Sequence, residues 1–266
     1  MPYIPFTKYH GAGNDFILID DRNGQWGNRI GEDWIAAVCH RRFGIGADGL
    51  ILLQQGKDGA DFFMKYYNAD GRQSTFCGNG GRCIVSFASG LGIHSGKCRF
   101  LGTDGWHEGI VNPDGIVYLS MSDVNEINEI DQSTFTLYTG SPHYINFVES
   151  VKKIDVAKEG RAIRNSPLFV KEGINVNFVE QVGPSEIRIR TYERGVEDET
   201  MACGTGVVAS ALAQAFHSKD YSGKCVIHAV GGTLTVEYKS DGVKKFTDVR
   251  LIGPAVEVFR GEVKID

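Results

Sequence analysis

Apolar and polar residues alternate in short runs along most of this chain. Asp61-Phe-Phe-Met-Lys-Tyr-Tyr, Gly115-Ile-Val-Tyr-Leu-Ser-Met and Glu186-Ile-Arg-Ile-Arg-Thr-Tyr combine partial alternation with β-branched and aromatic residues, which predicts strands. Turn signals punctuate the runs: Asn112-Pro-Asp-Gly, Gly231-Gly232 and Ser240-Asp-Gly. Two segments break the pattern and predict helices. They are Arg82-Cys-Ile-Val-Ser-Phe-Ala-Ser and Val207-Val-Ala-Ser-Ala-Leu-Ala-Gln-Ala-Phe. The second is apolar almost all round, so it must be enclosed by its own domain. Many strands and few long helices predict an α+β fold of mainly antiparallel sheets, each curled around one central helix.

The two halves resemble each other. In each, a strand run (Phe62 to Tyr67; Ile187 to Tyr192) leads through a polar, glycine-containing turn to Cys-Gly-x-Gly and a small-residue helix. The two copies are Cys77-Gly78-Asn79-Gly80 and Cys203-Gly204-Thr205-Gly206, about half the chain apart. This points to an internal duplication giving two pseudo-symmetric domains. The alternative is a pair of glycine-rich turns with chance cysteines. The break falls near Asp123, where Val-Asn-Glu-Ile-Asn-Glu-Ile interrupts the strand pattern.

Composition narrows the function classes. With 42% hydrophobic and 23% charged residues among 266, the chain is globular rather than disordered. A net charge of −5 without a long basic run argues against nucleic acid and leaves a small charged metabolite as partner. The N-terminus lacks a secretory pattern, and the apolar stretch from Val207 to Phe216 is too short to span a membrane. The expectation is a cytoplasmic protein with no membrane partner. Six cysteines in a chain of this length do not make a disulfide scaffold, so each needs its own explanation.

A cysteine placed just before a helix sits near unsatisfied backbone N–H groups and the positive end of the helix dipole, which favours its thiolate. The glycines that follow let a ligand approach the backbone, and the N–H groups suit a carboxylate. Two such sites could bracket one α-carbon. One sulfur would take the α-proton while the other delivered a proton to the opposite face, with N–H donors stabilising the charged carboxylate. That chemistry is epimerisation and demands neither metal nor cofactor.

The series His10-Gly-Ala-Gly-Asn14-Asp-Phe, Gly44-Ile-Gly-Ala-Asp-Gly49, Asn68-Ala-Asp-Gly71, Cys77-Gly-Asn-Gly-Gly-Arg82, Tyr192-Glu-Arg-Gly195 and Glu199-Thr-Met-Ala-Cys-Gly-Thr-Gly206 resembles the motifs of the diaminopimelate epimerases, in order and over nearly the whole chain. The resemblance implies two similar domains with the active site in the cleft between them. The first would be residues 1–122, carrying Cys77, with residues 257–266 returning to it. The second would be residues 123–256, carrying Cys203. It also implies interconversion of LL- and meso-diaminopimelate, for lysine and peptidoglycan precursors, without a cofactor. By the same resemblance Cys77 and Cys203 are the acid–base pair. Gly78-Asn79 and Gly204-Thr205 hold the reacting carboxylate through backbone N–H groups. Asn14, Asn68, Asn175, Glu193 and Arg194 hold the amino groups and the distal carboxylate, and His143 and Ser141 support the site. Many members have Asn in place of Ser141 and Gln in place of Gly49, which puts one substrate contact in question. A homodimer fits the resemblance, though no feature of the sequence requires one.

Other readings compete. Gly44-x-Gly46-x-x-Gly49 matches a dinucleotide fingerprint, but it leads into strand-like Leu50-Ile-Leu-Leu rather than a helix. Cys39, Cys83, Cys98 and Cys225 read as small core residues. His10, His40, His94, His107, His217 and His228 show no metal-ligand spacing. Asn14 and Asn68 could be turn formers, and Arg194 a surface residue. A proline racemase-like enzyme would share the cysteine pair, but its substrate would leave Asn68, Asn175 and Arg194 nothing to hold. A non-catalytic thiol protein would bind metal or sense oxidation through the same two cysteines.

Overall fold

The computed structural model describes residues 2–74, 76–242 and 244–265. The chain forms two compact units, Met1–Leu119 with Gly253–Asp266, and Ser120–Ile252. The first contains β1 (Tyr3–Gly11), β2 (Asn14–Asp21), α1 (Glu32–Cys39), β3 (Gly49–Gln55), β4 (Phe62–Asn68), α2 (Gly78–Gly90), β5 (Lys97–Gly102), β6 (Gly105–Val111) and β7 (Ile116–Ser120). The second contains β8 (Ile127–Asp131), β9 (Thr134–Tyr138), β10 (Pro142–Phe147), α3 (Val156–Arg164), β11 (Asn175–Gly183), β12 (Glu186–Glu193), β13 (Asp198–Thr200), α4 (Gly204–Ser218), β14 (Lys224–Ala229), β15 (Gly232–Ser240) and β16 (Phe246–Pro254). The last strand, β17 (Val256–Lys264), returns to the first unit and pairs antiparallel with β1.

The duplication is visible strand by strand. In the first unit β1–β2 is antiparallel, β2–β3 parallel, β3–β4 antiparallel, β4–β5 parallel, and β5–β6 and β6–β7 antiparallel. The second unit repeats this sequence of pairings through β9, β10, β11, β12, β14, β15 and β16. Each parallel pair needs a crossover, and the helices supply them. α1 and α3 occupy the first crossover of each unit, α2 and α4 the second. Smaller details repeat too. Tyr67 bridges Gln73 ahead of α2, as Tyr192 pairs with Glu199 ahead of α4.

Each sheet wraps its central helix: α2 packs on β1, β2, β3, β4 and β6, and α4 on β9, β10, β11, β12, β14 and β15. α4 is buried on nearly every side, as its apolar composition requires. The sequence reading starts the first helix at Arg82, yet α2 begins four residues earlier. Glycine disfavours helix, but closeness outweighs propensity here. A Cβ on Gly80 would lie 3.0 Å from Ile51 Cδ1, and one on Gly81 2.5 Å from Phe76 Cζ.

Candidate active site

In the first unit, Cys77 is the residue immediately before α2, in extended conformation (φ −116°, ψ 118°), and no side chain caps the helix there. Its carbonyl accepts the first helical bond, from Gly81 N at 2.7 Å. Its Sγ lies 3.7 Å from Asn14 Oδ1. Asn79 Nδ2 donates to the same oxygen at 3.1 Å, and Asn79 Oδ1 accepts from the buried Arg82 guanidinium at 3.0 Å. Burial lowers the Arg82 pKa, partly opposed by Cys83 and Cys77, and its Nε makes no hydrogen bond.

Behind Asn14 stands a charged network. Asn14 Nδ2 donates to Asp48 Oδ2 at 2.6 Å, and Asp48 Oδ1 accepts from Arg41 at 2.6 Å. Arg41 also grips Asp15 with two nitrogens. Asp15 pairs with the buried Lys8 at 2.7 Å, and Lys8 donates to the Gly46 carbonyl. Burial would raise the Asp15 carboxyl, but hydrogen bonds from Arg41 and Lys8 outweigh it and bring it to about 2. The segment Gly44–Gly49 follows helix α1 and precedes strand β3, the reverse of a dinucleotide site. Asp48 and Gly46 are its contribution here: they anchor Asn14 and Lys8. Asp48 lies in the Gly44–Gly49 motif without an assigned role, and Arg41 and Lys8 lie outside every motif, because their meeting depends on β1, β2 and the β3 approach lying side by side.

Asn68 ends β4 and opens a tight turn, with Gly71 N donating to its carbonyl at 3.0 Å and Gly71 at φ +86°. Its ladder partner is Gly49. A Cβ on Gly49 would stand 2.5 Å from the Tyr67 carbonyl and 2.6 Å from Tyr66 Cε2, with the Tyr66 hydroxyl at 3.2 Å. Glycine stands at position 49 because Tyr66 fills the space a side chain would take.

In the second unit, Cys203 precedes α4 in the same way (φ −104°, ψ 112°) and is buried. Its Sγ lies 3.4 Å from Thr205 Oγ1, which is 3.1 Å from Ser141 Oγ. Ser141 Oγ is 2.9 Å from His143 Nε2 and accepts from Asn175 Nδ2 at 3.2 Å. His143 Nδ1 is 3.1 Å from Asn177 Nδ2. Burial, with a smaller push from Arg194, lowers the His143 pKa to about 3, so the ring is neutral near pH 7. Thus Cys203, Thr205, Ser141, His143 and Asn175 share one network. Asn177 and Thr191, which anchor it, stand outside every motif; an Asn two residues after Asn175 on a buried strand was the available signal.

Asn175 also accepts from Arg194 N at 2.9 Å, so it fixes the turn that follows β12. The Arg194 side chain is exposed and donates to the Glu172 carbonyl at 3.0 Å. Glu193 accepts from Thr200 Oγ1 at 2.9 Å.

Cys39, Cys83, Cys98 and Cys225 are buried, and burial pushes their thiols up to about 12. They are core residues. Among the described residues no cluster of three or more His, Cys, Asp or Glu could hold a metal ion, and no helix is long and apolar enough to cross a membrane.

The fold recurs in solved structures of low sequence identity. A Bacillus anthracis phenazine biosynthesis protein of the PhzF family superposes with a TM-score of 0.72 at 15% identity, covering 100% of both chains. A hydroxyproline epimerase from Agrobacterium vitis gives 0.71 at 13%, covering 98% of this chain and 92% of that one. Sequence relatives are nearer. The diaminopimelate epimerase of Flavobacterium psychrophilum is 48% identical over 252 residues, 95% of this chain and 97% of the relative. That of Chlorobaculum tepidum is 42% identical over 262 residues, 96% and 99%. The pattern that defines diaminopimelate epimerases matches residues 6–120 and 135–258. With that coverage the chain belongs to the diaminopimelate epimerase family.

Proposed function

We infer that this protein interconverts LL- and meso-diaminopimelate, with Cys77 and Cys203 as its acid–base pair. One observation carries the reading: the duplicated topology puts a cysteine immediately before the central helix of each unit, in the same extended conformation. One sulfur takes the α-proton and the other returns a proton to the opposite face of the carbon. The developing negative charge spreads onto the α-carboxylate, where backbone N–H groups of Gly78-Asn79 and Gly204-Thr205 stabilise it. Because the stabilising groups are backbone donors, the reaction needs no electron-sink cofactor.

Asn14, Asn68, Asn175, Glu193 and Arg194 hold the remaining polar groups of the substrate. Arg194 is the residue suited to the distal carboxylate, since its planar fork can bind one bidentately. We take the two compact units to be the two epimerase halves, and the cytoplasm, where the thiols stay reduced, to be their setting. The test is to follow LL-diaminopimelate in D₂O with dialysed, chelator-treated protein. Meso product carrying deuterium at the inverted α-carbon is expected. Turnover of proline in place of diaminopimelate, or activity only after addition of a cofactor or metal, would overturn the reading.

A further inference from the structure

Asn14 is held from both sides by partners whose direction of bonding is fixed. An arginine can only donate, so Asn79 gives its Oδ1 to Arg82 and turns its Nδ2 toward Asn14 Oδ1. A carboxylate paired with an arginine can only accept, so the atom Asn14 turns to Asp48 is its Nδ2. Guanidinium, two side-chain amides and carboxylate form one directed chain, Arg82 to Asn79 to Asn14 to Asp48, with distances of 3.0, 3.1 and 2.6 Å. The two amides lie head to tail in it, and each strengthens the polarity of the next.

The two ends of the chain have different origins. Arg82 and Asn79 are buried residues of α2 itself. Asp48 comes from the residue before β3, which the parallel pairing of β2 with β3 sets beside Asp15. Its carboxylate meets donors only: Oδ2 accepts from Asn14 Nδ2 and from Asp15 N at 3.1 Å, and Oδ1 accepts from Arg41. Its own N–H donates to the Asp15 carbonyl at 2.9 Å, and Arg41 is bound to Asp15 as well. Backbone and arginine therefore keep their attachments if the carboxylate is removed. Asn14 Nδ2 does not, because Asp48 is its one acceptor among the described residues. The amide would then be held through Oδ1 alone.

We propose that Asp48 is a positioning residue of the site: its carboxylate, itself fixed by Arg41 and the Asp15 backbone, holds the Asn14 amide with Oδ1 turned toward Asn79 and Cys77. Asp48 acts through Asn14 rather than on the substrate. Resting on the epimerase reading, in which Asn14 holds a polar group of diaminopimelate, the amide is ordered before the substrate arrives. Binding then does not bear the cost of ordering it.

Two measurements test this, one of them without substrate. In isotope-labelled protein the Asn14 side-chain amide is identified by nuclear magnetic resonance through its loss in Asn14→Ala. In the parent its hydrogens should exchange with water about tenfold more slowly than those of exposed asparagines, since a bonded donor exchanges only on opening. Asp48→Ala should abolish that protection. The second measurement is a double-mutant cycle on kcat/KM for LL-diaminopimelate. Asp48→Ala should lower it about tenfold in the parent and less than about twofold in Asn14→Ala, where nothing is left to position. Asp48→Asn keeps one acceptor oxygen for Asn14 while Arg41 stays on Asp15, and should recover most of the loss. Equal losses in the two backgrounds, an Asp48→Asn as impaired as Asp48→Ala, or an unprotected Asn14 amide in the parent would overturn the proposal. A parent that does not turn over LL-diaminopimelate defeats the epimerase reading alone, and the exchange rates still decide whether Asp48 holds Asn14. Protection in the parent is read even where Asp48→Ala fails to fold.

Discussion

Both cysteines of the proposed acid–base pair owe their setting to one residue position, the one just before a helix. There the chain is still extended, and the first N–H groups of a helix have no partner within the helix itself. Cys77→Ala or Cys203→Ala should each lower epimerase activity by about 10²–10⁴-fold, the usual contribution of a general acid or base. The double variant should lose little more than either single, because the pair acts as a unit. Multiplying losses in single-turnover assays would show two independent contributions instead. Arg194→Lys keeps the charge but loses the planar fork. It should lower kcat/KM for diaminopimelate more than tenfold, with part of the loss in kcat, since remote binding aligns the reacting end. An unchanged kcat/KM would remove Arg194 from the substrate. At this scale the sequence was informative where chemistry is written in one short segment, as in Cys-Gly-x-Gly. It was silent where partners lie far apart in the chain: Asp48 behind Asn14, Asn177 behind His143. Gly49 is the instructive case. Read alone it is a missing side chain; in the fold it is the space occupied by Tyr66.

At the scale of elements, the two central helices are placed by small residues rather than by helix propensity. Apolar composition marked the middle of α4, whose observed span, Gly204–Ser218, starts three residues before the expected segment and ends two after it. The start of α2 was hidden because three glycines obscure a helix whose packing requires them. The parallel pairs were equally hidden, since alternation tells which face a residue occupies and not which strand lies beside it. Gly206 shows what close packing demands: a Cβ there would sit 2.4 Å from Asn177 Oδ1. Gly206→Ala should therefore push Asn177 aside, lower stability by about 1–3 kcal/mol as overpacking does, and disturb His143. A urea titration beside an activity assay checks this. A variant with parental stability and activity would mean that α4 has room the geometry does not show.

For the whole molecule, the two units should differ in their response to acid. His143 is buried and neutral, with its pKa pushed down to about 3 from 6.5. Unfolded chains take up a proton near 6.5 and the native protein does not, so this contribution is present above pH 6.5 and is lost as pH falls toward 3. The slope is about 1.4 kcal/mol per pH unit. Asp15, held at about 2 against 3.8, contributes stability above pH 4 that is lost only as pH falls from there through 2. Between pH 6 and 4, then, the second unit weakens while the Asp15 network of the first is intact. Urea midpoints should fall across this range in the parent and fall less in His143→Gln. Parallel pH curves for the two proteins would show that His143 does not set the acid response.

The strand β17 has a counterpart in the other unit. It lies beside β1 as β8 lies beside β9, yet β8 immediately precedes β9 in sequence and β17 comes from the far end of the chain. The second unit is therefore continuous in sequence and the first is not. During synthesis on the ribosome the half made later can be completed earlier, while the half begun first waits with one edge of its sheet open until the final strand emerges. Moving residues 253–265 ahead of Pro2 through a short linker would give the first half the strand order of the second and remove that wait.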